Sequence, residues 1–496
     1  MVLDSIPDAT KYLLIFAISL LICWIFVQWL KTRNYPPGPT GFPVIGYGMF
    51  LGKKPNVRLA ELGRKYGDIF SFYTGPQLFI CITEYHLAKE ILSHPLTLSR
   101  PAHVFTFLRG CGGFSGKNGE EWTEQRRFVV QTMRNLGLGK GIWETMIQED
   151  TRDFLNEIRS WNGKPHNIEG PLQVSQAVNN IALLFGRHMS LKEDKDDIEI
   201  IQNSSRILLQ YFSSVSINMA LPGLAKILNA LKISSYHKFI KLLREFEAIF
   251  SREVEIRMKA EDSLLKEDFI GCYLREMEKR KTDTKPHCFN IDNLLGNLFL
   301  LFVAGLDSTL ASIAWLLILM AEHQEVQKKV HEEIDSVLGR DGTVYFDDKV
   351  KLPYTSATIL EMHRWASISP IYPPRYPLHS FEFHGYTIPK GSNIICNGWA
   401  IMHDTRYFKN PMEFTPERFL SGDGTKAGKY DGYLPFSTGK RNCPGEGIAM
   451  MTTYLYFVSI MQKFKVTPKP GEKVDIDYIC GGALLPKPQE LCFLER

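Results

Sequence analysis

The chain has 496 residues, of which 44% are hydrophobic, 12% aromatic and 23% charged, ordinary globular values that exclude a disordered chain, a collagen and a disulfide scaffold. Its 58 basic and 54 acidic residues leave a net charge of +4, too balanced for a nucleic-acid binder. Nine scattered cysteines without a CxxC pair argue for reduced thiols in a cytosol-facing compartment, and against a disulfide framework or a zinc ribbon.

The first element in chain order is residues 12–30, YLLIFAISLLICWIFVQWL, interrupted only by Ser19 and Gln28 and long enough to cross a bilayer as a helix. Asp4, Asp8 and Lys11 precede it, whereas Lys31 and Arg33 follow it. The basic flank stays cytoplasmic, which puts the rest of the chain in the cytosol. The competing reading is a cleaved signal peptide, but the run is long, its start is acidic and no small-residue cleavage pattern follows, so an uncleaved anchor over residues 1–30 is favoured. Four prolines between Tyr35 and Pro43 cannot continue a helix, which makes 31–46 a stiff hinge before a body of residues 47–496.

Within the body, the alternation from Asp68 to Thr83 around Gly75-Pro76 predicts a β-hairpin. A second β-rich patch is expected from Phe381 to Trp399, turning at Pro389-Lys390-Gly391, with short strands in the last thirty residues. Helical periodicity marks Glu120–Met133, Asp150–Ile158, Ile198–Phe212, Tyr236–Met258 and Gln324–Leu338. Without βαβ alternation, the expected class is a single, mainly α, α+β domain. Leu298–Met320 is apolar enough for a second membrane span, yet Asp307 at its centre would cost about 2.5–3.5 kcal/mol on insertion. A central helix of a large soluble core is therefore preferred.

The strongest local signal is Phe436-Ser-Thr-Gly439-Lys-Arg441-Asn-Cys443-Pro-Gly445-Glu446. A lone cysteine stands between a glycine-and-proline loop and the apolar helical run Ile448–Phe464. A helix start offers the positive end of a dipole and unpaired N–H groups, both of which favour thiolate. Such a thiolate would be a metal ligand or a nucleophile; no histidine base can be picked out for the latter, and a buried structural thiol is the bland alternative.

This string resembles the haem-binding loop of the cytochrome P-450 superfamily, FxxGxRxCxG, at all five fixed positions. The resemblance implies haem b (iron protoporphyrin IX) with Cys443 as its axial thiolate, Arg441 on a propionate, Phe436 packed near the sulfur, and Gly439 among the cofactor-binding residues. Thiolate ligation pushes electron density toward iron and favours O–O cleavage. Glu361-Met-His-Arg364 followed by Pro416-Glu-Arg418 looks like the family's buried network of Glu361, Arg364 and Arg418, a structural device. Trp122-Thr-Glu-Gln-Arg126 looks like its WxxxR, with both residues facing a propionate, and Arg100 and Arg375 stand where microsomal relatives put further propionate partners. Relatives commonly carry histidine where Arg375 stands. Ala304-Gly305-Leu306-Asp307-Ser308-Thr309 resembles the oxygen-activation motif. There Ala304 and Gly305 leave room for a flat cofactor, and Asp307 with Ser308 or Thr309 relays protons. Ser308 stands where threonine is usual, which leaves open which hydroxyl acts.

The resemblance spans the chain from the hinge onward and is most like the clan of animal drug- and steroid-oxidising members. It implies a membrane-anchored monooxygenase of the endoplasmic reticulum. Such an enzyme inserts one atom of O2 into a lipophilic substrate (steroid, fatty acid or xenobiotic), with electrons from NADPH through a flavoprotein reductase and cytochrome b5 as an accessory donor. No phosphate-loop or dinucleotide fingerprint is present, so electrons must come from another protein. Substrate-facing segments by analogy are Pro101–Gly116, Tyr211–Leu231, Val303–Ser308, Ser367–Pro374 and Gly481–Leu485; Met219–Leu224 would dip into the membrane surface. Arg126, Arg127, Arg134 and Lys440 suit an acidic redox partner. The rivals are a peroxide isomerase of the same fold and a membrane haem protein that binds ligands without turnover.

Overall fold

The computed structural model describes residues 12, 15–16, 18–20, 22–23, 26–27, 33–42, 45–101, 113–136, 142–187, 194–201, 227, 230–232, 235–260, 267–282 and 287–496. Most of the expected anchor lies outside them; the described residues between Tyr12 and Val27 are helical and exposed. The helix expected over 198–212 is described only to Ile201, and 219–224 lies outside.

The long helices are α1 (Pro55–Tyr66), α2 (Tyr85–Ser93), α3 (Gly119–Leu136), α4 (Ile142–Ser160), α5 (Glu169–Phe185), α6 (Ser235–Lys259), α7 (Phe269–Lys279), α8 (Ile291–Glu322), α9 (Gln324–Val337), α10 (Pro353–Ala366) and α11 (Glu446–Lys463). Strands are short: β1 (Ile69–Thr74), β2 (Gln77–Ile82), β3 (His166–Asn167), β4 (Phe381–Phe383), β5 (Tyr386–Ile388), β6 (Asn393–Cys396), β7 (Phe464–Pro468), β8 (Tyr478–Cys480), β9 (Leu484–Pro486) and β10 (Glu490–Glu495). The result is an α+β fold dominated by helices, with small sheets at the periphery.

The hairpin β1–β2 closes on Thr74↔Gln77 as its alternation predicts. The second β patch divides differently from expectation. β4 and β5 turn at His384-Gly385, both with positive φ, so Pro389–Gly391 is no hairpin turn. It carries the chain to β6, which pairs parallel with β2 in another sheet. Trp399 belongs to the short helix Gly398–Met402 that follows. The proline-rich segment is likewise no free spacer. Ser71 donates its N–H to Pro37 O at 2.8 Å and its hydroxyl to Pro36 O at 2.6 Å, laying this segment along β1. Gly38 is required there, since a Cβ would stand 1.7 Å from Ser71 O.

α8 is the axis of the molecule. Asn290 caps it by accepting from Asn293 N–H at 2.9 Å, satisfying one of the donors a helix start leaves open. Its C-terminal half, Leu310–Ala321, sits in one apolar cluster with Tyr454–Met461 of α11; its N-terminal half packs with α5, α6 and α7 in another. Of its most apolar window 72% is buried in the protein, as expected of a core helix that is apolar all round.

Candidate active site

The cysteine loop is held by its own backbone. Ser437 and Gly439 take positive φ, 59° and 74°, and Gly439 is obligatory because a Cβ would lie 2.6 Å from Leu92 O at the end of α2. Cys443 N–H donates to Phe436 O at 3.0 Å, and Asn442 N–H to Gly439 O at 3.1 Å. The loop therefore delivers Cys443 just before the first turn of α11. Burial pushes its thiol above the usual range, while the N–H groups of Gly445 and Glu446 and the charge of Arg126 pull the other way. Burial and the helix start thus act on this thiol in opposite directions. The Phe436 ring meets His363 edge-on, 5.4 Å between centroids. Burial drives that imidazole down to about 3, which keeps it neutral.

A cavity of about 370 Å³ separates this loop from α8. Cys443 and Phe436 line one side; Ala304, Gly305, Ser308 and Thr309 line the other. Ser308 donates its hydroxyl to Ala304 O at 2.6 Å, committing its proton to the helix, whereas Thr309 makes no such bond. Asp307 does not line the cavity; it is 3% exposed, and neither carboxylate oxygen has a hydrogen-bond partner. Burial alone holds its carboxyl well above the ordinary range.

A cluster of cations forms the rim. Arg100, Arg126, Arg375 and Arg441 all line the cavity. Burial first, and then the other arginines, holds Arg100 well below its ordinary value and brings Arg441 to about 9; Arg375 falls to about 10, through burial and then Arg126. Arg100 Nε and Nη1 and Arg375 Nε and Nη1 are buried without partners. Arg441 differs. Its guanidinium donates to Leu98 O, Lys117 O and Asn118 Oδ1 at 2.9, 2.6 and 3.1 Å and lies 3.9 Å from the centroid of the Trp122 ring. Arg126 Nη2 donates to Asn442 O and Oδ1 at 2.9 and 2.6 Å, tying α3 to the cysteine loop. The unspent donors thus belong to Arg100 and Arg375.

Glu361, Arg364 and Arg418 lie off the cavity in a closed knot. Arg364 makes a two-point pair with Glu361 at 2.7 and 2.8 Å, both side chains fully buried, and Arg418 Nε reaches Glu361 Oε1 at 3.0 Å. The remaining Arg364 donors go to Met402 O, Pro411 O and Glu413 O. The knot fastens α10 to the segment that leads into the cysteine loop.

Of the segments expected to face substrate, Phe114, Ser115, Ala304, Gly305, Ser308, Ile368, Ser369, Tyr372 and Pro373 line the cavity, while 102–112 and most of 211–231 lie outside the described residues. Gly481–Leu485 does not reach it: Leu484 N–H bonds Ile368 O and its carbonyl accepts from Trp315 Nε1, which buries the β8–β9 turn against α8. Sequence reasoning missed His363, Asn442 and three amides of α5, Gln176, Asn179 and Asn180, all of which line the cavity. Spacing at i, i+3 and i+4 was the available signal for the last three.

These residues fit a flat group with a metal and negative charge at its edge: a loop cysteine faces it, two small residues of α8 clear room, and unpaired arginine donors await anions. The Cytochrome P450 family model matches residues 36–493. The chain is similar to Cytochrome P450 2G1 of Rattus norvegicus, 30% identical over 97% of this chain and 99% of that protein. Cytochrome P450 2J1 of Oryctolagus cuniculus is 31% identical over 98% and 96%, and Cytochrome P450 2H2 of Gallus gallus is 31% identical over 96% and 97%. The chain therefore belongs to the cytochrome P450 family, oxidoreductases of the monooxygenase type whose cofactor is haem b with a cysteine thiolate as axial ligand.

Proposed function

We propose that this chain is an anchored monooxygenase of the endoplasmic reticulum, with residues 1–30 as a single-pass anchor, 31–46 as its connection and 47–496 as a cytosolic catalytic domain. It oxidises a lipophilic substrate (steroid, fatty acid or xenobiotic) with electrons from NADPH through a flavoprotein reductase, cytochrome b5 serving as a second donor. Cys443 is the axial ligand, and Arg100 and Arg375 hold the propionates, with Arg126, Arg441 and Trp122 bracing them. When bound, the haem supplies thiolate-supported O2 activation.

The chain's own residues do the rest. Ala304 and Gly305 admit the flat group against the backbone of α8. Thr309, whose hydroxyl makes no bond back to the helix, presents a proton at the cavity wall. Burial holds the Asp307 carboxyl well above the ordinary carboxylate range, the direction that suits a proton donor. The apolar lining excludes water around the substrate. The observation that carries the reading is the convergence of Cys443, the Ala304–Gly305 gap and the unpaired Arg100 and Arg375 on one cavity. Product formation from a screened lipophilic ligand should require both O2 and NADPH with reductase. Turnover of a hydroperoxide without reductase would overturn it, as would ligand-induced spectral shifts with no product.

A further inference from the structure

α5 turns a face of carboxamides toward the cavity. Gln176, Asn179 and Asn180 all line it; Gln176 is 0% exposed and Asn179 2%. Both Nε2 and Oε1 of Gln176, and Nδ2 of Asn179, are buried without a hydrogen-bond partner. Asn180 donates to Gln176 O at 2.8 Å, and its Oδ1 sits 2.7 Å from where a Cβ on Gly305 would stand. These amides therefore press against α8 at the small-residue gap. An unpaired buried amide is costly, and where several face one side of an otherwise apolar cavity the usual remedy is ordered water held at that side with two to four partners.

The same amides connect outward. Tyr456 of α11 places its hydroxyl 2.6 Å from Ser175 Oγ. Ser175 stands next to Gln176 on α5, so this contact brings the tyrosine hydroxyl to the amide-bearing helix. Polar groups thus extend from Tyr456 through Ser175 to Gln176, Asn179, Asn180 and Gly305, on three helices inside an otherwise apolar core.

We propose that Gln176, Asn179 and Asn180, backed by Tyr456, are positioning residues that order a water chain supplying protons to the Gly305–Thr309 segment. The proposal rests on the monooxygenase reading. Each turnover consumes O2, two electrons and two protons, one oxygen atom entering the substrate and the other leaving as water. The electrons come from the redox partner and the protons from bulk water. The amides neither gain nor lose a proton; they accept from and donate to the waters and so fix their direction, and the tyrosine hydroxyl, donor and acceptor at once, joins the two ends.

The test uses the full-length haem-loaded protein with reductase and compares Gln176→Met, Gln176→Glu and Tyr456→Phe with the wild type. Two readouts are taken: the ratio of peroxide to product, and the infrared C–O stretch of the ferrous carbonyl complex, which senses water order without turnover. Gln176→Met should raise the peroxide-to-product ratio by about tenfold, less than the roughly hundredfold or more of a direct general acid because the amide only positions water, and shift the infrared band. Gln176→Glu, which keeps a hydrogen-bonding oxygen, should restore both. Tyr456→Phe keeps its ring packing and should uncouple less, with the band moving the same way; it decides the matter if Gln176→Met does not fold. Unchanged ratio and band in Gln176→Met, or in Tyr456→Phe if that variant must decide, would overturn the proposal. A wild type with no O2-dependent product would sink the monooxygenase reading instead.

Discussion

Two groups of buried arginines sit on either side of α10, and they are solved in opposite ways. In the knot, Arg364 faces the Glu361 carboxylate at 2.7 and 2.8 Å and spends its remaining donors on three carbonyls. At the cavity rim, Arg100 and Arg375 are as deeply buried, 6% and 2% exposed, yet keep unpaired N–H groups and repel their neighbours. A buried charge without a partner is among the most expensive things a fold can hold. The knot is therefore complete as the chain folds, whereas the rim keeps free donors that the proposed contacts of Arg100 and Arg375 with an anion would use. One is architecture and the other is a receptor.

The sharpest way to break the comparison is Glu361→Gln. Removing the one carboxylate of the knot leaves Arg364 and part of Arg418 uncompensated, an expected loss of about 3–5 kcal/mol. Thermal unfolding and haem content should both collapse; a variant with wild-type stability would mean that the knot is not structural. Arg375→Leu should do the reverse in the haem-free protein, raising its stability by relieving an unpaired cation, while haem dissociates faster from the loaded one. Opposite signs in the two states are the expected mark of a receptor position, read by denaturation of each form and by haem transfer to an acceptor globin.

Asp307→Asn probes a buried carboxyl whose two oxygens have no hydrogen-bond partner. Burial raises its folded pKa above the ordinary carboxylate value of about 3.9. Above that pH the unfolded chain releases a proton that the folded chain retains, so the wild type loses stability as pH rises until the folded pKa is passed. Denaturant midpoints of wild type and Asp307→Asn should differ least near pH ~4 and diverge toward neutral pH in favour of the variant. A constant offset would mean that Asp307 does not titrate with folding. The smallest effect belongs to the surface: Arg127 and Arg134 of α3 and Lys440 of the cysteine loop are exposed, and reversing one to Glu should weaken reductase coupling mainly at low salt, the difference fading at ionic strengths that shorten the Debye length to a few ångströms.

What could be seen in the sequence was local. Phe436–Cys443 packs its information into eight residues, and Leu298–Met320 announces a helix by hydropathy alone. The pairing of β2 with β6 joins Phe79 to Asn393, a separation that no periodicity records. Carboxamides at 176, 179 and 180 resemble any solvated helix face until α8 is laid against them. Arg441 matched a motif position, but only coordinates show that carbonyls of the Leu98–Asn118 stretch occupy its donors. The spare valence of the rim moved accordingly to Arg100 and Arg375.

The central claim is that the Cys443 sulfur ligates the iron. The direct measurement is the absorption spectrum of the reduced, carbonyl-bound protein, wild type against Cys443→His. The wild type should show the red-shifted Soret band that a thiolate ligand produces, and the variant, still holding haem through Arg100 and Arg375, should lose that shift. A red-shifted band that survives in Cys443→His would contradict the account.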